Sequence, residues 1–177
     1  MVKLPMTSHD PITINPEVIK AWGNIRTTLF IKSATNFMTA LVGGVAFPLV
    51  FWLPPLLSSL LFLLGYRAVS ATKSQDIYFE NYIHSNVLSV VCWQDRKIAL
   101  PDIGRHIRSI NKFTLAMGFG AGLGICSTLP PDFSAKKIIL MEAGCLGATI
   151  IAAESTRREV RGVKNIIFSH SNRLPSP

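Results

Sequence analysis

Residues 37–66 read FMTALVGGVAFPLVFWLPPLLSSLLFLLGY, and no Asp, Glu, Lys, Arg or His occurs among them. A charge-free run of about 30 residues exceeds the roughly 20 that one membrane-spanning helix needs. Drawn as one straight helix it would extend about 45 Å, well beyond a hydrocarbon layer of ~30 Å. Leu53-Pro54-Pro55 in its middle resolves the mismatch. Two prolines remove two amide donors, clash with the preceding turn and push their predecessor out of the helical region. The stretch therefore reads as a hairpin folded at Trp52 to Pro55, with Trp52 at the depth that suits an amphipathic ring and Leu56 to Ala71 as the return leg. Both legs are short, so a re-entrant loop is the alternative.

The tripeptide recurs at Leu129-Pro130-Pro131, inside a second apolar block from Phe113 to Ala153. Phe113 to Leu129 gives one leg, Pro130 to Lys137 a turn, and Ile138 to Ala153 the other leg. The first of these legs carries Gly118, Gly120, Gly122 and Gly124. In water each would weaken a helix by about 1 kcal/mol. In lipid, small residues four apart let two backbones approach closely. Gly144, Ala148 and Ala152 offer a matching face on the return leg, so the two legs are expected to pack on each other; a second subunit is the alternative partner.

Composition agrees with this reading. The 177 residues are 49% hydrophobic and carry a formal charge of +8. Their mean hydropathy is +0.35 and the pI about 9.8. The charges are swept out of the two apolar blocks rather than spread along the chain. Residues 1–35 have no apolar core between a basic start and a cleavage site, which argues against a signal peptide. Cys92, Cys126 and Cys145 are odd in number and lack metal-ligand spacing, so neither a disulfide nor a metal site is expected.

Basic residues fix the threading. They lie in residues 1–35, in the central segment (Arg67, Lys73, Arg96, Lys97, Arg105, Arg108, Lys112) and in the tail from Arg157 to Arg173, whereas the two tips hold only Lys136 and Lys137. Basic loops stay cytoplasmic. The expected fold is thus all-α and integral to a membrane, taken to be a bacterial inner membrane: a cytoplasmic segment 1–35, a hairpin 36–71, a cytoplasmic segment 72–112, a second hairpin 113–153, and a basic tail 154–177. Both termini would be cytoplasmic.

The cytoplasmic parts read as amphipathic helices. Asn15-Pro16-Glu17 is a start signal, with Asn as cap, Pro at the first position and an acid in the first turn. Val18, Ile19, Trp22, Ile25 and Leu29 then form a stripe suited to lying in the membrane interface, or to binding a partner. Ile77 to Val91 repeats the helical spacing, Trp93 to Arg96 reads as a turn, Arg96 to Leu100 as a short extended piece, and Pro101 as the start of another helix. Fewer than about 50 residues cannot build a core alone. Their apolar faces should lie on the membrane or on another protein, with Arg96, Lys97, Arg105 and Arg108 contacting anionic lipid or a partner. The same charges would attract nucleic acid, but no recognition module accompanies them.

No catalytic motif, phosphate loop or dinucleotide fingerprint is present, so neither an enzyme nor a cofactor is expected. Glu142 is the one acid inside a predicted leg. An intramembrane carboxylate is a functional candidate, as a proton relay or an inter-subunit lock. The plainer reading is that it snorkels to Lys136 or Lys137.

Ala46-Phe47-Pro48-Leu49, the double-span block, the aromatic stretch with Tyr78, Phe79 and Tyr82, and Arg96-Lys97-Ile98-Ala99-Leu100-Pro101 together resemble the small IcmT/TraK subunits of type IVB secretion and conjugation machines. The likeness covers roughly Trp22 to Pro101, and residues 102–177 have no counterpart in it. It implies a non-enzymatic inner-membrane subunit that helps assemble a translocation channel, meets a cytoplasmic ATPase and contacts it around Arg96 and Lys97. A self-contained blocking factor of exclusion or immunity type is the alternative. So is a small channel or transporter with Glu142, Thr114, Ser127 and Thr149 along its path. A homo-oligomer is compatible with each.

Overall fold

The computed structural model describes the backbone of residues 15–52, 54–128 and 135–171, and their side chains except at 49–52, 58, 61, 62, 64–66, 68–74, 127, 128, 135 and 137. Four long helices follow in order: α1 Pro16–Trp52, α2 Pro55–Val90, α3 Arg96–Thr128 and α4 Ala135–Ser171. Each is about 50–55 Å long at 1.5 Å per residue. They run alternately up and down. The described residues form no strand.

The ends follow the chemistry of the chain. Asn15 caps α1, its Oδ1 accepting the Glu17 amide at 2.9 Å. Pro54 is extended at φ −54° and ψ 148°, and Pro55 takes the first position of α2, where its missing N–H costs nothing. Pro130 and Pro131 lie outside the described residues.

Between the ends, the structure corrects the expected segmentation. The amphipathic stretches are not separate elements but continuous with the apolar stretches, and the boundaries at 35, 71, 112 and 153 fall inside unbroken helices. Arg96 to Leu100 is helical rather than extended. The Ile98 and Ala99 amides bond to the Asp95 carbonyl at 3.1 and 2.9 Å, which starts α3 ahead of Pro101. The proline then removes one early hydrogen bond without ending the helix.

The apolar stripes face one another rather than a bilayer. Val18, Ile25 and Leu29 of α1, Ile83 and Val87 of α2, Ile103, Ile107 and Ile110 of α3, and Val160, Val163 and Ile167 of α4 make one core. Ile19 alone of the α1 stripe is turned outward. The segments that could not each bury a core do so jointly. This core fills only the half of the bundle that holds the charges.

The other half is built differently. Among the described residues its buried hydrophobics are Ala40, Ala121 and Ala152, while large apolar side chains point outward, including Met38, Val42, Leu60, Leu146 and Ile150, with Leu56 87% and Leu140 75% exposed. Two described stretches, Pro16–Pro48 and Ile138–Ser171, are long and apolar enough to cross a membrane. In the second, only 6% of the apolar window is buried, unlike the core helix of a soluble protein.

Backbone contact replaces side-chain packing at the centre of this half. α1 and α3 run parallel and pack more extensively than any other pair, whereas α2 barely meets α3 or α4. A Cβ on Gly118 would lie 2.3 Å from the Phe37 carbonyl oxygen, one on Gly122 2.2 Å from that of Leu41, and one on Gly44 2.3 Å from that of Phe119. The small-residue pairing expected between the legs of one hairpin is therefore made between the two hairpins. Gly120, Gly124 and Gly144 would each carry a methyl group with nothing within 4 Å.

Gly122→Ala should accordingly lower the stability of the detergent-solubilised chain by about 1–3 kcal/mol, the usual cost of overpacking. Gly120→Ala should be neutral or slightly stabilising. Equal thermal shifts for the two variants would contradict the crossing.

Candidate functional site: a polar layer and a cationic groove

At the junction of the two halves, each helix contributes polar side chains at one height. Lys32 of α1 has a side chain only 3% exposed, and its Nζ lies 3.2 Å from Oδ1 of Asp76 on α2. Next to it, Ser33 and Thr156 of α4 share a buried hydroxyl–hydroxyl hydrogen bond of 2.8 Å. One turn on, Asn36 Nδ2 donates to Asn111 Oδ1 of α3 at 3.0 Å. Thr114 completes the layer, its buried hydroxyl donating to the Ile110 carbonyl at 2.8 Å. These pairs satisfy their own polar groups, as buried groups must. They also tie α1 to all three other helices.

Two further links brace the charged half. Glu159 of α4 takes Ser109 Oγ–H at 3.1 Å and meets His106 Nδ1 at 2.5 Å. The imidazole of His106 packs directly on Gly162, where a Cβ would come within 2.5 Å of Cε1. At the far end, His170 Nδ1 lies 3.2 Å from Asp95 Oδ2. It is close enough for attraction but out of line for a hydrogen bond. The histidines thus join α4 to α3 and to the α2–α3 turn. They do not meet each other. Among the described residues, no three His, Cys, Asp or Glu side chains converge on a metal position, and Cys92, Cys126 and Cys145 are free thiols.

The residues singled out in the sequence fall in different places. Arg96 is engaged with its own chain: its guanidinium donates to the Val91 carbonyl at 3.1 Å and to that of Leu88. It also lies 5.1 Å from the centre of the Trp93 ring. A cation on the last carbonyls of α2 offsets the negative end of that helix. Lys97 is exposed, Arg105 pairs with Asp102 at 3.3 Å, and Arg108 donates to the Gly104 carbonyl at 3.2 Å. Arg96 and Lys97 stand about 25 Å along α3 from Phe113, where the apolar half begins.

Glu142 is exposed on α4 and forms no ion pair with Lys136; the Lys137 side chain lies outside the described residues. Thr149 is exposed and donates to the Cys145 carbonyl, Thr114 faces inward, and Ser127 lies outside the described side chains. Glu142, Thr114 and Thr149 are not brought onto one path. Gly120, Gly124, Gly144 and Ala148 line a cleft of about 320 Å³ between α3 and α4, floored by small and apolar side chains.

Sequence reasoning missed a groove between α1 and α4. It encloses about 500 Å³ and is lined by Trp22, Arg26 and Phe30 on one wall and by Ile150, Glu154, Arg157, Arg161 and Lys164 on the other. The spacing was available in the chain: Trp22, Arg26 and Phe30 are four apart on one helical row, as are Ala153, Arg157 and Arg161. Their meeting was not, because it depends on which helices neighbour one another.

Comparison with protein families, curated proteins and solved structures gives no match.

The Lys32–Asp76 pair generates an asymmetric expectation. Asp76→Asn leaves a buried ammonium without its counter-charge, whereas Lys32→Met leaves only a partly exposed carboxylate that water solvates. Thermal unfolding should therefore show Asp76→Asn to be the more damaging change, by about 1–2 kcal/mol. The reverse order would show that the pair does not anchor the layer.

Proposed function

We propose that this chain is a polytopic inner-membrane protein whose apolar half crosses the bilayer four times and whose charged half stands in the cytoplasm as a docking stalk, acting as a non-enzymatic subunit of a larger assembly. One observation carries the reading: in the charged half isoleucines and valines of all four helices pack inside, whereas in the other half the described buried hydrophobics are alanines and large apolar side chains cover the outside. A bundle in a single solvent has no reason to invert along its length. From Asn36 to Trp52 is about 24 Å of helix, close to the thickness of a hydrocarbon layer. The polar layer then falls at the cytoplasmic boundary. Basic residues crowd the charged half, which by the positive-inside rule places both termini in the cytoplasm.

Two surfaces support a role in assembly rather than a self-contained one. Ile77, Tyr78 and Tyr82 on α2, with Trp93 and Ile98 at the α2–α3 turn, are exposed in the half that faces water. Aromatic side chains of this kind anchor protein interfaces. The α3–α4 cleft, with its outward glycines, has the small-residue lining that admits a further helix within a membrane. The resemblance of residues 22–101 to IcmT/TraK subunits names a type of assembly, a secretion or conjugation machine with a cytoplasmic ATPase. By that resemblance the contact would lie around Arg96 and Lys97, and the exposed Trp93 and Ile98 beside them support this reading.

Topology is tested by cysteine labelling in a background lacking Cys92, Cys126 and Cys145. A membrane-impermeant maleimide added to cells stripped of their outer membrane should modify Lys136→Cys at a tip but not Lys97→Cys. Labelling of both positions alike, or recovery of the chain in the soluble fraction without detergent, would overturn the reading.

Assembly is tested separately. Tyr82→Ala combined with Trp93→Ala should leave membrane insertion and melting unchanged while abolishing co-purification of a cytoplasmic ATPase in mild detergent. Undiminished recovery of that ATPase would move the contact elsewhere.

A further inference from the structure

The α1–α4 groove has an order along its length that a merely basic surface lacks. At the end nearest the apolar half, its walls are Phe30 and Ile150, both exposed, with Ala153 beside them. Arg26 follows about 6 Å from Phe30 along α1, and Arg157 about 10 Å from Ile150 along α4. Arg161 and Lys164 lie one and two turns beyond Arg157. Four cations thus face one carboxylate, that of Glu154, which lies 3.8 Å from Arg157 Nη1. Neither Arg26 nor Arg161 has an acidic partner within 4 Å among the described residues, and Lys164 Nζ rests 5.5 Å from the Phe168 ring.

We propose that this groove is a binding site for one anionic phospholipid, with acyl chain along Phe30 and Ile150 and phosphate held by Arg26, Arg157 and Arg161. The occupant follows from the arrangement. A free phosphate or a soluble polyanion would satisfy the cations and leave the apolar floor unused, while an uncharged lipid would do the opposite. An anionic lipid matches both, and at the height where it would find them: the cations lie within about two turns of the polar layer, on its cytoplasmic side. Guanidinium groups suit a phosphate because their parallel N–H bonds match two of its oxygens. Each cation near an anionic headgroup contributes attraction that fades within a Debye length. The site rests on the membrane reading above and deepens it. It puts the lipid contact on α1 and α4 rather than at Arg96 and Lys97, which stand far from the apolar half.

The test uses the purified full chain in a non-ionic detergent and follows its melting temperature. Binding to the folded state alone raises that temperature. Phosphatidylglycerol at about a hundredfold excess over Kd should raise it by roughly 5–10 °C, and phosphatidylcholine should not. Arg157→Gln with Arg161→Gln should abolish the rise. Arg105→Gln with Arg108→Gln, which removes the same charge from α3, should preserve it. Inorganic phosphate alone should give no shift. An equal rise with phosphatidylcholine, with inorganic phosphate, or with both double variants would overturn the site, as would a larger rise with a short polyglutamate or an oligonucleotide. The assay reads a detergent-held chain irrespective of how it is threaded. Failure here alongside intact cysteine labelling therefore removes the lipid site alone.

Discussion

With Gly44, Gly118 and Gly122 at the contact, the backbones of α1 and α3 touch where side chains normally intervene. Everything else in the apolar half is arranged around that crossing. Two parallel helices this close leave no interior for large side chains between them, so α2 is left to pack against α1 and α4 against α3. The outer faces of those helices then have nothing to cover them. Exposed Leu56, Leu60, Leu140 and Leu146 are the direct consequence. In water such a surface would drive aggregation. In lipid it costs nothing, because the hydrophobic effect does not operate between a leucine and an acyl chain, and close backbone packing becomes the main cohesive force. The glycines and the surface leucines are one solution seen from inside and outside.

The charged half obeys the opposite rule. Here isoleucines and valines from all four helices interdigitate, and burial of apolar area stabilises the fold at about 25 cal/mol per Å². Continuous helices join the two regimes, so neither half can rotate or slide without moving the other. This coupling distinguishes the arrangement from loosely tethered amphipathic segments on a membrane surface. A partner binding the aromatic surface near Tyr82 and a lipid in the groove near Arg157 would act on the same four rods. The groove runs along the isoleucine core, sharing Val160 with it, and reaches the apolar half at Ile150.

Local signals in the sequence were legible. Asn15-Pro16-Glu17 announces the start of α1 and Pro54-Pro55 the first turn, because caps and prolines act through neighbouring atoms. The continuity of each helix was not. Leu29 closes a stripe with helical period, and Phe37 opens a run that is apolar all round; the change of pattern reads as a change of element, whereas one helix runs through it. Pairings across the bundle were hidden for a different reason. Spacing puts Gly118 and Gly122 on one face but does not say whether α1 or α4 meets it. Asn36 and Asn111 bond to each other at 3.0 Å, although each alone reads as an ordinary polar residue in an amphipathic helix. Arg96 suggested a surface contact by its charge, and the sequence did not show that the carbonyls of Leu88 and Val91 also lie within its reach.

The polar layer explains why the two hairpins do not slip past each other. A crossing made of glycines is nearly smooth, and the outer contacts of α2 and α4 are apolar and indifferent to small shifts. Apolar packing alone would tolerate a displacement of one turn with modest loss. Hydrogen bonds do not. Moving α3 by one turn would separate Asn36 from Asn111, and moving α4 would leave the Ser33 hydroxyl buried without Thr156, whose own hydroxyl keeps its bond to the Ala152 carbonyl, at a cost of about 1–3 kcal/mol for an unpaired buried group. The Lys32 ammonium is bound still more tightly to one register, since no other described acid lies within 4 Å of it. Buried polar groups are poor sources of net stability but effective at selecting one alignment from several. Placed where the apolar interior changes character, this layer sets the height of all four helices at once. The height at which the cations of the groove meet its apolar floor is set by the same bonds.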